Sequence, residues 1–225
     1  VEQAIAEMDP LLTDTAAGHR AGLQKAAMLT RLGRTAEAVA LADRARAFGL
    51  REKEKDTGLI EGAIREFSRA GNVEKALAAC DDLATLLSDS SNAPDLLRAE
   101  VLVAGHQEAK AIEHFNKALE KEPGALGVRR RLAKVLEGMS KPMEARKELE
   151  VLLEEKYGET ANMLGHLELA NLYHNWDLSE KALAELRKLP AGVLADPPVK
   201  LAVGKTYAML GKTAEARESL AGIQT

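Results

Sequence analysis

Few residues in this chain are of a type and spacing that could do chemistry. Two Gly-Lys-Thr triplets, Gly204-Lys205-Thr206 and Gly211-Lys212-Thr213, match the last positions of a phosphate-binding loop. Such a loop also needs a glycine five residues ahead of the Gly-Lys pair and a strand leading into it, because its backbone N–H groups wrap the phosphates. Val199 and Thr206 stand at those places. No strand is predicted, so the triplets read as a helix interior and a turn between helices. The histidines His106 and His114 are eight residues apart, as are His166 and His174. Eight residues rise about 12 Å along a helix, too far for one metal ion whose ligands lie about 2 Å away. His19 stands alone. Cys80 has no histidine or acid placed to activate it and reads as a small buried hydrophobe. Trp176 falls where a helix is expected to end, at a place that Leu32, Met139 and Leu210 take elsewhere, and reads as packing, with an exposed contact residue as the alternative. Neighbouring carboxylates such as Asp81-Asp82 and Glu154-Glu155 point to different helix faces. No catalytic, cofactor-binding or metal-ligating residue is assigned, and the chain is expected not to be an enzyme.

Composition points the same way. The 225 residues are 46% hydrophobic and 29% charged but only 3% aromatic, with a net charge of −4. Abundant Ala and Leu favour helix over strand. The acidic balance lacks the basic footprint of a nucleic-acid binder. One cysteine excludes an internal disulfide and a thiolate metal cluster. No apolar run approaches the roughly 18–20 residues that cross a bilayer, and no signal peptide is visible.

What positions these residues is a repeat. A turn, then a charged residue, then Ala recurs as Gly33-Arg34-Thr35-Ala36-Glu37-Ala38, Gly71-Asn72-Val73-Glu74-Lys75-Ala76 and Gln107-Glu108-Ala109-Lys110-Ala111. It returns as Lys141-Pro142-Met143-Glu144-Ala145, Asp177-Leu178-Ser179-Glu180-Lys181-Ala182 and Gly211-Lys212-Thr213-Ala214-Glu215-Ala216. The final alanines are separated by 38, 35, 34, 37 and 34 residues. A period near 34 with two helices per unit is that of the tetratricopeptide repeat. Apolar residues spaced by three and four, as in Leu132, Val135 and Leu136, mark helical faces. Thr35, Asn72, Ser179 and Thr213 are expected to cap second helices. Pro94, Pro142, Pro197 and Pro198 suit first helical turns. Gly33, Gly71 and Gly211 suit the tight turn between paired helices.

On these residues the chain resembles the tetratricopeptide repeat family. A small residue midway along each first helix is Ala26, Ala99, Ala133, Ala170 or Gly204, with Ile64 departing in the second unit. A large residue follows as Leu29, Phe67, Leu102, Leu136, Tyr173 or Tyr207. The stretch Ala111 to Pro123 is the nearest to the family pattern, whereas the family's early Trp is missing. The resemblance implies an all-α, right-handed superhelical solenoid of antiparallel helix pairs, one domain over residues 1–225. Its repeats are expected at about 17–50, 55–88, 91–123, 125–158, 162–190 and 196–225, with 1–12 the tail of an upstream helix in a longer protein and no capping helix after Gly222-Ile223-Gln224-Thr225. Longer connectors are expected around Arg51-Glu52-Lys53-Glu54-Lys55-Asp56 and Glu155-Lys156-Tyr157-Gly158-Glu159-Thr160.

The resemblance also implies that first helices line a concave groove for a peptide or helical segment of a protein partner. At spacings i, i+4 and i+7 the lining reads Leu23/Ala27/Thr30, Glu61/Arg65/Ser68, Leu96/Glu100/Val103, Arg130/Lys134/Glu137, Leu167/Asn171/His174 and Leu201/Lys205/Ala208. The candidate partner-binding residues are Glu61, Arg65, Glu100, Arg130, Lys134, Asn171, His174 and Lys205. The arginines and lysines, helped by the Asn171 amide, suit a partner's carboxylates. The chaperone-tail clamp of some family members is not reproduced, since Leu23 and Ala27 stand where clamp residues belong. The alternative is a structural module, self-associating through repeat ends or positioning neighbouring domains, in a bacterial envelope or secretion assembly.

Overall fold

The computed structural model describes residues 2–51 and 53–221. The chain divides into two compact units, residues 1–128 and 129–225. The first holds α1 (Glu2–Glu7), α2 (Ala16–Arg31), α3 (Thr35–Gly49), α4 (Thr57–Arg69), α5 (Val73–Leu86), α6 (Ala93–Ala104) and α7 (Glu108–Lys121). Near its end α8 (Leu126–Gly138) begins, followed in the second unit by α9 (Pro142–Glu150), α10 (Gly158–Asn175) and α11 (Ser179–Leu186). A single-turn α12 (Ala191–Leu194) leads to α13 (Pro197–Met209) and α14 (Thr213–Leu220). All regular structure among the described residues is helical. The all-α helix-pair architecture read from the repeat is therefore the one observed.

Each turn between paired helices has the same backbone. Five residues before the marker alanine the chain takes a left-handed conformation: φ is +77° at Gly33, +75° at Gly71 and +72° at Gly211. His106, Ser140 and Asp177 adopt it too, at φ of +55°, +60° and +55°. The next residue closes a bond back across the turn. Its N–H donates to the carbonyl of Leu29 (2.9 Å), Phe67 (2.8 Å), Leu102 (2.8 Å), Leu136 (2.9 Å), Tyr173 (2.8 Å) or Tyr207 (2.9 Å). This Schellman closure satisfies carbonyls that the helix end would orphan. The six acceptors are the large residues of the repeat. Leu29, Phe67, Leu102 and Leu136 are also buried, so one residue fills the core and ends its helix.

The capping expectation needs correction. Asn72 does cap α5, its Oδ1 accepting from Lys75 N–H at 3.1 Å. Thr35, Ser179 and Thr213 are instead first helical residues, and the cap positions belong to Arg34, Leu178 and Lys212, whose side chains make no cap bond. The Schellman turn places these residues, so a polar cap is dispensable. Side-chain caps occur at first helices: Thr15 on α2 and Asp56 on α4. Pro142 and Pro197 open α9 and α13, and Pro94 sits in the first turn of α6.

Packing explains the alanines. Ala38, Ala76, Ala111, Ala145 and Ala182 are 0% exposed, because paired helices cross there at close range. In the first unit Ile60, Ile64, Phe67, Cys80, Leu83 and Leu97 form one core cluster, with Ile5 of α1 packed on Ala26, Leu29 and Ala38. In the second, Ala170, Ala182, Leu186, Leu189 and Val199 do so. Fully burying a side chain such as Phe67 contributes about 2–3 kcal/mol.

Both long connectors have distinct local structure. After α3 the chain turns through residues that include Lys55 at φ +41°; Glu52 lies outside the described residues. After α9, two 3-10 turns (Val151–Leu153 and Glu155–Tyr157) lead into the 18-residue α10. Val1 and the final segment from Gly222 to Thr225 are outside the described residues.

Candidate functional site

The predicted lining of the first helices forms an exposed or half-buried row in each unit. In the first unit α2, α4 and α6 carry it. Arg65 bends along its own helix, its Nη2 donating to Glu61 Oε2 at 2.9 Å. That pair neutralises both members. Between α4 and α6 lies an open cleft of about 260 Å³, lined by Ile64, Arg65, Ser68, Arg69, Leu97 and Glu100.

The second unit carries the other candidates on α8, α10 and α13. Arg130 is already engaged: Nε donates to Glu168 Oε1 at 2.8 Å, and Nη2 reaches the same oxygen. Glu137 accepts from Asn175 Nδ2 at 2.8 Å. These bonds lash α8 to α10. Lys134, Asn171 and Lys205 are exposed and have no hydrogen-bond or ion-pair partner among the described residues. Leu201, four residues before Lys205, is 57% exposed. The candidates therefore differ in state: Arg65 and Arg130 are engaged in ion pairs, whereas Lys134, Asn171 and Lys205 are not, among the described residues.

His174 links α10 to α13. Its Nε2 lies 2.9 Å from Thr206 Oγ1, and Thr206 is fully buried. The Thr206 hydroxyl donates its only proton to the Ala202 carbonyl at 2.7 Å. It can therefore only accept from the ring, which places a proton on His174 Nε2. Burial, and then the nearby Lys205 charge, hold His174 below the ordinary histidine range.

The corresponding positions in the first unit also carry polar groups. Counting back from the marker alanines, Thr30 and Glu66 correspond to His174 and Thr206. Glu66 is 4% exposed and pairs with Arg69 through Oε1. Its Oε2 and Thr30 Oγ1 are buried without a hydrogen bond. Burial pushes the Glu66 carboxyl up, against the opposing pull of Arg69.

Thr206, Glu168 and Glu66 are the residues that sequence reasoning missed. A signal existed for two of them. The other four repeats have Met28, Val101, Val135 and Leu172 at the positions of Glu66 and Thr206. A polar residue at an apolar position of a repeat marks a buried polar contact.

The remaining chemistry-bearing residues are structural in their surroundings. His19 hydrogen-bonds Asp14 at 3.1 Å and packs on the Phe48 ring. His114 pairs with Asp95 and His166 with Glu185. Burial pushes the Cys80 thiol up to about 12, so it carries no thiolate at neutral pH. Gly204 and Thr206 of the first Gly-Lys-Thr triplet are buried inside α13. Trp176 departs from the packing expectation: it is the C-cap of α10 and stands 37% exposed. Among the described residues no group of three or more His, Cys, Asp or Glu side chains is placed to hold a metal ion, and no helix is long and apolar enough to cross a membrane.

No protein-family model and no curated protein sequence matches this chain. Solved structures do match. A tetratricopeptide repeat protein from Parabacteroides merdae is 17% identical with a TM-score of 0.57, covering 89% of this chain and 77% of its own. The C-terminal part of a TPR repeat-containing protein from Cytophaga hutchinsonii is 14% identical with a TM-score of 0.59, covering 88% and 76%. A segment of MamA from Desulfovibrio magneticus is 18% identical with a TM-score of 0.55, covering 72% and 90%. At such identities the likeness is one of fold. The chain has the fold of tetratricopeptide repeat proteins.

Proposed function

We propose that this protein is a non-catalytic scaffold that holds a peptide or helical segment of a protein partner on the face formed by its first helices. The observation that carries this reading is the state of that face in the second unit. Lys134, Asn171 and Lys205 stand exposed and, among the described residues, without partners, and Leu201 on the same helix as Lys205 is exposed too. Exposed lysines are ordinary on a protein surface; what marks these donors is that they share the first-helix row with an exposed leucine. Unused donors next to apolar surface are what a binding face needs: the apolar part supplies affinity and the polar part orientation.

The partner-binding set within this reading is narrower than the row of candidates. Lys134, Asn171, His174 and Lys205 contact the partner. Arg130 in the second unit, and Glu61 with Arg65 in the first, set the local charge, while Glu100 lines the cleft beside α4. Fold alone does not carry function, so the reading stands on this face.

Selection from a displayed library of random twelve-residue peptides tests it. The wild-type chain is expected to enrich a recurrent motif, and the double variant Lys134→Glu/Lys205→Glu is expected to lose it while keeping its helical spectrum. Absence of a motif for the wild type, or the same motif for the variant, overturns the reading.

A further inference from the structure

The hydrogen-bond chain behind His174 decides what its open nitrogen can recognise. Thr206 Oγ1 has one proton, and the Ala202 carbonyl takes it at 2.7 Å. The ring therefore donates from Nε2 across 2.9 Å. Thr206 is 0% exposed, so no water competes for its hydroxyl. In the neutral ring the other nitrogen, Nδ1, is then a lone-pair acceptor. Among the described residues Nδ1 has no partner, and it is not one of the buried polar atoms that lack one. Asn171 precedes His174 by about one helical turn on α10 and is exposed, and the Lys205 charge on α13 is close enough to lower the His174 pKa.

From this we infer that His174, Lys205 and Asn171 form a subsite for a side-chain carboxamide, Gln or Asn, of the bound segment. The inference rests on the first-helix face being the binding surface and names the group it takes. A carboxamide carries both halves of the complement. Its NH2 donates to His174 Nδ1, and its carbonyl accepts from Lys205 Nζ. A carboxylate fits worse, because it has no proton for Nδ1 and would set a second lone pair against the ring. A ring held neutral by burial and by the Lys205 charge does not readily take up the proton that would cure this. An ammonium side chain meets Lys205 as a like charge. Thr206 touches no ligand; it is a positioning residue that fixes which nitrogen is the acceptor.

Two measurements test the assignment at pH 7.5. Long-range proton–nitrogen NMR of the wild-type imidazoles is expected to show His174 neutral with its proton on Nε2; a proton on Nδ1, or a charged ring, overturns the inference whatever any variant does. The peptide selection described above is then repeated with the wild type and with Thr206→Val, which keeps the shape but removes the hydroxyl. The wild-type motif is expected to hold one Gln or Asn position. A synthetic peptide of that motif with Gln replaced by Glu is expected to bind the wild type about tenfold more weakly, the effect of one unmet buried hydrogen bond. With Thr206→Val that discrimination is expected to shrink towards none. A motif without a carboxamide, one with Ser or Thr at that place, or equal binding of the Glu peptide overturns the inference while leaving the binding face intact. No motif at all overturns both.

Discussion

His114 on α7 donates from Nδ1 to Asp95 Oδ1 on α6 across 3.1 Å, and the partner is 19 residues away in sequence. The same pair of positions is polar in the next two repeats. Arg129 donates to Glu148 at 2.7 Å and His166 to Glu185 at 2.8 Å, each again across 19 residues. In the first two repeats those positions hold Gly22 with Leu41 and Ile60 with Ala79. One geometric contact between paired helices is thus filled by apolar packing in some repeats and by an acid–base couple in others, with the acid on either helix. Such couples specify which helix faces meet, since a slipped pairing leaves a buried charge alone.

Asp95 makes this testable through pH. Burial alone would raise its carboxyl, but hydrogen bonds from Lys121 (2.7 Å) and His114, with their charges, more than offset it and leave it below the ordinary carboxylate range. A group whose folded pKa is depressed contributes stability above its unfolded value, about 4, and loses it as pH falls through the folded value. Asp95→Asn is expected to lower stability at pH 7 by about 1–3 kcal/mol. It is also expected to flatten the decline of stability below pH 4, read by urea unfolding across pH.

The left-handed turns predict a gain. Ser140 sits at φ +60° where Gly33, Gly71 and Gly211 do so without a side chain. The conformation costs an L-residue about 1 kcal/mol. Ser140→Gly is expected to stabilise the fold by about 0.5–1 kcal/mol after allowing for the freer unfolded chain. Asp177→Gly should gain less, because Asp tolerates this conformation better. Gly71→Ala should lose about 1 kcal/mol, although a Cβ there meets nothing within 4 Å. Thermal unfolding of the three variants checks the order.

Cys80 predicts a protected thiol. It is 0% exposed and its thiol is pushed up to about 12 by burial. A thiol-reactive dye at pH 8 is expected to label the native protein only as fast as the surrounding helices open, and to label it fully in denaturant. Rapid native labelling would contradict the packing of α5.

Glu168 predicts a masked arginine. Its carboxylate occupies Arg130 from the neighbouring helix. Both side chains are partly exposed, at 41% for Arg130 and 28% for Glu168, so the pair itself contributes about 1 kcal/mol or less. Glu168→Gln is expected to leave stability nearly unchanged. Binding of an acidic peptide to the second unit should tighten and become more salt-sensitive, because a cation is released. Calorimetric titration at two salt concentrations reads both effects.

The repeat was legible because its signals are local or periodic. Gly at a left-handed turn, Ala at a helix crossing and a large apolar residue one turn after a small one are requirements that neighbouring atoms impose; the Ala recurs near every 34 residues and the Gly in three of the six turns. Even the three turns without glycine could be placed, since the alanine counts back to His106, Ser140 and Asp177. The caps were misread because Thr35, Ser179 and Thr213 resemble capping residues, and a one-residue shift is invisible until the turn hydrogen bonds are drawn.

The row of candidates along the first helices was likewise set by helical spacing. Its working state was not. Whether Arg130 is free depends on Glu168, 38 residues away, and whether His174 donates or accepts depends on Thr206, 32 residues away. Sequence alone determined the helix pairs and which side chains share a face, because those follow from contacts within a turn or two. Only the tertiary structure decided which of those side chains are already bonded to one another, because a hydrogen bond between neighbouring repeats depends on how far and at what angle their helices meet.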